Sequence, residues 1–275
     1  MIGDWIESLM AATAWEMTKP TAYGPFHLTF TFVGIFLCFI IARKLRNISE
    51  RGNKIVLFSV GMFLAVTEVY KQLFHTFYLR EHTYNFGIFP FQLCSVPMYL
   101  CLIAPFLKDG RVKNGMYYFM TTYNLLGGMM AFIAPSGIVH DYWTLTLHAF
   151  LWHMMLVFIG IYLILSGRFA KTKEDYLSAT VTFLVLAAIA FCINLIFWEA
   201  SNGGINMFFV GPRKSSLLVF NTISKEFCWY VSTLLYIPTV CLGAFIVFLP
   251  SYYYAKRKSE EQISLPKKAQ LHKIS

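Results

Sequence analysis

Charge is what this sequence is shortest of. Of its 275 residues, 13% are charged, roughly half the ~25% typical of a soluble domain. Acidic residues are the scarcer sign, 14 against 23 Lys and Arg. So few charges exclude a soluble domain of any size. The six cysteines, Cys38, Cys94, Cys101, Cys192, Cys228 and Cys241, contain no C-x-x-C pair. That removes the spacing of a zinc site or a disulfide framework. A basic stretch before the first apolar run is also missing. Asp4, Glu7 and Glu16 stand there instead, so this segment does not read as a secretory signal. No internal repeat stands out, which gives no support to an inverted-repeat transporter. The stretch Gly203-Gly204 to Ser216 lacks the spacing of a phosphate-binding P-loop.

What remains is apolar: 57% hydrophobic, with 27 Phe. A bilayer core needs about 20 apolar residues per helix. The pattern predicts an all-α polytopic membrane helix bundle of about seven transmembrane helices, at about 26–42, 54–79, 86–107, 115–134, 142–166, 176–199 and 228–250. Pro97, Pro105 and Pro238 fall inside spans, where neighbouring helices can satisfy the freed backbone groups. Residues 1–25 read as an extracellular or interfacial segment anchored by Trp5 and Trp15, 26–254 as the membrane domain, and 255–275 as a basic cytoplasmic tail.

The cations set the orientation. Arg43, Lys44, Arg46, Arg51 and Lys54 follow the first span. Lys108, Arg111 and Lys113 follow the third, and Arg168, Lys171 and Lys173 the fifth. Lys256, Arg257, Lys258, Lys267, Lys268 and Lys273 follow the seventh. These are 17 of the 23, while Lys19, Arg80, Arg213, Lys214 and Lys225 fall on the other side and Lys71 lies within a span. The asymmetry predicts N-out, C-in. The net charge of +9 therefore points to topology and anionic headgroups rather than nucleic acid. The longest loop, about 200–227, is expected outside as a turn-rich segment near the headgroups.

Polar residues inside spans are costly and usually mark function. Glu68, Lys71 and His75 share a helix face at i, i+3 and i+7. Gln92, Cys94, Asn124, His148, His153 and Asn194 come from four further spans. At about 1.5 Å per residue, all of these lie roughly 6–16 Å from the outer end of their span. If the spans bundle, they outline a polar cavity toward the outer leaflet. Each residue also has a structural reading: an ion pair for Glu68 and Lys71, helix–helix hydrogen bonds for the histidines, a small buried hydrophobe for Cys94. His148 and His153 are five apart and do not share a face. A thiol beside an imidazole permits one particular reaction, in which the His takes the proton and the thiolate accepts an acyl group. Glu68 would then orient the His and Lys71 hold a phosphate headgroup.

Pro90-Phe91-Gln92-Leu93-Cys94 resembles the Pro-Leu-His-Leu-Cys motif of the YwaF-type membrane protein family. Asn206-Met207-Phe208-Phe209, Pro212, Ser216-Leu217-Leu218 and Trp229-Tyr230 resemble that family's later motifs, and Glu68 and His27 also fit. The resemblance covers nearly the whole chain. That family is related to an animal multi-pass acyltransferase of ether-phospholipid remodelling that works through a Cys and a His. Its His motif resembles His153-Met154-Met155-Leu156 followed by Ile161-Tyr162-Leu163. Its Pro-Cys-His-Leu motif best matches Pro90-Phe91-Gln92-Leu93, which puts Phe91 in the place of the Cys and Cys94 three residues on.

Together these readings predict a lipid acyltransferase or hydrolase of the plasma membrane (the cytoplasmic membrane in a bacterium). His153 and Cys94 are its catalytic pair; Glu68, Lys71, Gln92, Asn124, His148 and Asn206 bind substrate. Membrane lipids are the expected partners, and neither metal, cofactor nor nucleic acid is expected. The oligomeric state is left open. A carrier or receptor for a small polar ligand, and an assembly partner without chemistry, use the same polar residues in other ways.

Overall fold

The computed structural model describes residues 2–271, and all their side chains except those of Leu218 and 261–271. Lys273, and the side chains of Lys267 and Lys268, thus lie outside the described residues. The protein is a bundle of helices: α1 (Ile2–Ala11), α2 (Pro25–Leu45), α3 (Glu50–Leu73), α4 (Val96–Ile103), α5 (Arg111–Thr121), α6 (Tyr123–Ile133), α7 (Trp143–Leu165), α8 (Lys173–Ile196), α9 (Leu218–Glu226) and α10 (Trp229–Leu271). Among the described residues there is no β-strand, only one bridge between Glu16 and Tyr142.

α2, α3 with its π-helical extension Phe74–Leu79, α7, α8 and α10 are each long and apolar enough to cross a membrane. Their outward faces carry exposed Phe32, Phe36, Val66, Val181, Leu234 and Leu242, and those faces meet lipid. α7 is the central helix, with thirteen buried residues. It meets α6 through two glycines. A Cβ on Gly160 would lie 2.9 Å from Leu125 Cβ, and one on Gly128 3.0 Å from Leu156 Cβ, so only glycine allows this approach.

The third and fourth spans are broken. Residues 86–95 hold one 3-10 turn, Phe86–Ile88, and then no helix until α4. Pro90 denies the segment a backbone donor, and Pro97 occupies the first turn of α4, where a missing N–H does no harm. Pro105 opens the 3-10 turn Ala104–Phe106 that ends it. Between α5 and α6 the chain bends at Thr122 (φ −121°, ψ −78°). The hydroxyls of Thr121 and Thr122 both donate to the Tyr118 carbonyl, a side-chain bond that competes with the helical ladder.

The long loop is not all surface turn. It re-enters the bundle: Ile205, Met207 and Phe208 are fully buried and Asn206 nearly so. Its apolar run has the composition of a core, and the unwound 86–95 leaves room for it. Phe208 (φ +53°) and Phe209 (φ +55°) turn the chain through left-handed backbone. The Asn194 amide pins both sides of Met207, accepting from its N–H at 2.6 Å and donating to its carbonyl at 3.0 Å. The Phe208 ring stacks between Phe91 and Phe183, which in turn stacks on Tyr123.

At the same end, α1 packs Met10 against Phe74 and Leu145. Thr13 and Trp15 accept bonds from Thr144 and Trp143, so the N-terminal segment lies across the ends of α3 and α7 with Trp5 and Trp15 exposed. α10 runs through position 255 without a break, so the basic tail continues the last helix.

Gly160→Val is expected to destabilise the protein by about 1–3 kcal/mol through overpacking against Leu125. Thermal unfolding in detergent micelles measures this, with Gly127→Val, where a Cβ meets nothing within 4 Å, as the unaffected control.

Candidate functional site

Glu68 is buried, yet it is not isolated. The Lys71 ammonium lies 2.8 Å from its carboxylate. Gln72 Nε2 donates to Glu68 Oε1 at 2.6 Å and to the Ile88 carbonyl at 2.7 Å. The three residues are one turn apart on α3, so a single face carries the carboxylate, its counter-ion and an amide reaching across to the unwound segment. His75, the next on that face, falls in the π turn, which changes the register by which it follows Lys71.

Trp152 of α7 is the point of convergence. Its indole Nε1 donates to the Cys94 carbonyl at 3.0 Å. The Lys71 ammonium sits 5.9 Å from its ring centroid, and the His148 ring 5.5 Å. Cys94 is half-buried, at the end of the unwound segment two residues before α4. His148 shares the Trp152 face, and its Nε2 is buried with no partner. His153 faces α6, edge-on to Phe132. Its Nδ1 lies 2.8 Å from the Ala149 carbonyl. A carbonyl only accepts, so Nδ1 carries the proton and Nε2 holds the free lone pair. Among the described residues no hydrogen bond joins Cys94 to His153; Trp152 lies between them, bonded to one and adjacent in sequence to the other.

The remaining residues are placed differently. Gln92 Nε2 donates to the Asn206 carbonyl at 3.1 Å, and its Oε1 accepts from Phe208 N at 2.9 Å. Asn206 Oδ1 accepts from Gly211 N. These two amides hold the re-entrant loop, and both line a pocket of about 330 Å³ with Arg213, Lys214 and Ser215. Asn124 donates to the Met120 and Leu156 carbonyls at 3.1 and 3.0 Å, bridging α6 to α7, while its buried Oδ1 has no partner. In the loop before α7, His140 is pushed below its ordinary pKa, chiefly by burial and then by Lys19.

Trp152, Gln72 and Tyr99 do as much as the expected residues. Gln72 was legible as the i+4 partner of Glu68. Trp152 read only as one more apolar residue. Tyr99, which donates to the Pro90 carbonyl at 2.8 Å, has no signal in the sequence without the knowledge that the backbone unwinds there. Phe91, at the position of the acyltransferase Cys motif, is packed between the Tyr99 and Phe208 rings.

Residues 22–249 match the model of the TMEM164 family. The match is to that family and does not single out the YwaF type. No curated protein and no solved structure matches the chain.

The Glu68–Lys71 contact can be tested directly. Glu68→Leu alone leaves the Lys71 ammonium uncompensated and is expected to lower stability by about 3 kcal/mol, whereas Glu68→Leu/Lys71→Leu together lose clearly less. Equal losses in thermal unfolding would show that the two charges are not coupled.

Proposed function

The chain belongs to the TMEM164 family, and we propose that it is a plasma-membrane enzyme that moves or hydrolyses phospholipid acyl chains. The observation that carries this reading is the convergence on Trp152. One indole ties the backbone of a half-buried thiol, Cys94, to the helix that bears His148 and His153. His153 supplies the base, because its Nδ1–H is held by Ala149 and its Nε2 is the remaining acceptor.

In the proposed reaction, His153 Nε2 takes the Cys94 thiol proton and the thiolate attacks the ester carbonyl of an outer-leaflet phospholipid. The tetrahedral intermediate collapses to a thioester, and the leaving alkoxide takes the proton from the imidazolium. A lysophospholipid hydroxyl, or water, then attacks the thioester by the same proton path and restores the thiol. Lys71, one-fifth exposed beside its carboxylate, holds the headgroup phosphate. Gln92 and Asn206 act through the loop they fix. Asn124 and His148 each have a buried polar atom without a partner, and these atoms bond the substrate.

A second reading has its own observation. Phe91 occupies the motif's Cys position within an aromatic stack, which favours a carrier or receptor that binds a small polar ligand at Glu68 and Lys71. Mass-spectrometric product analysis separates the two. Wild type, Cys94→Ala, His148→Ala and His153→Ala are incubated in nanodiscs with mixed phospholipids and lysophospholipids. The enzyme reading expects chain exchange or fatty-acid release by wild type, reduced at least ~100-fold in Cys94→Ala and His153→Ala. Full turnover by His153→Ala retires it as base, and loss in His148→Ala instead transfers that role. No turnover by wild type supports the carrier or receptor.

A further inference from the structure

The opposite end of the bundle holds a second cavity, of about 820 Å³, formed where three basic loops meet. Lys54 reaches it from the start of α3, Lys108 from the α4–α5 connection, Lys113 from the first turn of α5, and Arg168 and Lys171 from the α7–α8 connection. Two of these five cations are neutralised in place: Arg168 pairs with Glu50, and Lys113 with Asp109 at 2.8 Å. Lys54, Lys108 and Lys171 have no carboxylate partner among the described residues, so the concavity carries an excess of three positive charges. Topology alone asks for cations on this side. It does not ask that they surround one hollow.

The floor is built rather than incidental. Lys113 and Tyr117 are both more than nine-tenths buried. The Tyr117 hydroxyl accepts from Asn53 Nδ2, and Asn53 Oδ1 accepts from Tyr162. That chain fixes the Tyr117 oxygen and leaves its proton free to be donated. α5 starts beside this wall, and its Lys113 and Asn114 line the cavity. Phe106, largely exposed, and Leu107 form an apolar rim.

We infer that this cavity binds a phosphate-bearing anion larger than phosphate itself. The volume exceeds that of one phosphate several times over, and the cations enter from three sides, which suits a headgroup with more than one anionic centre. The anion is either an inner-leaflet lipid headgroup seated with its glycerol against Phe106, or a soluble phosphate ester. This site is independent of the chemistry proposed at Trp152.

The test uses the full chain purified in detergent and native mass spectrometry with three probes: short-chain phosphatidylinositol bisphosphate, its free headgroup inositol trisphosphate, and short-chain phosphatidylcholine. Wild type is expected to retain the bisphosphate lipid in preference to phosphatidylcholine. Lys54→Gln/Lys108→Gln/Lys171→Gln is expected to bind it at least ~10-fold more weakly. The matched-charge control Lys44→Gln/Arg46→Gln/Arg51→Gln, which removes three exposed cations from the same side but outside the cavity, is expected to bind as wild type. Retention of the lipid alone identifies the membrane as the source, and equal retention of the free headgroup identifies a soluble ester. Equal weakening in both variants, or no preference over phosphatidylcholine in wild type, overturns the proposal.

Discussion

In hydrocarbon no water is available to bond an exposed peptide group, so a segment that leaves the helix inside a membrane must find every partner within the protein. Residues 86–95 draw their partners from several parts of the chain. The Ile88 carbonyl is bonded by Gln72, that of Pro90 by Tyr99, and that of Cys94 by Trp152. Gln92 O accepts from Ser95 and Val96, and Phe89 O from Phe91. Four other parts of the chain, α3, α4, α7 and the 205–211 loop, are thereby committed to one short stretch. Their polar side chains gather where the unwound backbone is.

This requirement sorts the polar residues of the outer half. Gln92, Asn194 and Asn206 spend their amides on backbone, and their loss would open the loop rather than remove a reacting group. Lys71, His148, His153 and Cys94 are different. Each keeps an atom that no protein group takes up fully: a partly exposed ammonium, a free imidazole nitrogen, the thiol of a half-buried cysteine. The structural and chemical uses of the cluster are thus adjacent, and Trp152 belongs to both.

Much of this was legible in the sequence. The apolar runs of α2, α3, α7, α8 and α10 are long enough to read directly, and Glu68 and Lys71 could be placed on one helix face. Two things escaped. Apolar length cannot tell a helix from an unwound segment of the same composition; Pro90 marked the break, but satisfaction of the freed carbonyls depends on residues up to 58 positions away. Nor does a turn-rich loop announce that it will fold inward, since Gly203-Gly204 reads the same at a headgroup as in a core. His148 and His153 were correctly seen to lie on different faces. Which of them shares a face with Trp152 depended on contacts that spacing does not contain.

The partners of the unwound segment also fix an order of events. Gln92 bonds Asn206 and Phe208, which lie 114 and 116 residues later, and Trp152 follows Cys94 by 58. A chain threaded into the bilayer from its amino end carries residues 86–95 there long before those groups have been synthesised. The third span therefore cannot settle as an independent helix and then dock, as α2 can. It must wait, either in the care of the insertion machinery or in a provisional helical state, until the loop beyond α8 arrives to release it. Maturation of the cluster around Trp152 is in this sense a late step of biogenesis, completed only after Asn206 and Phe208 have been made.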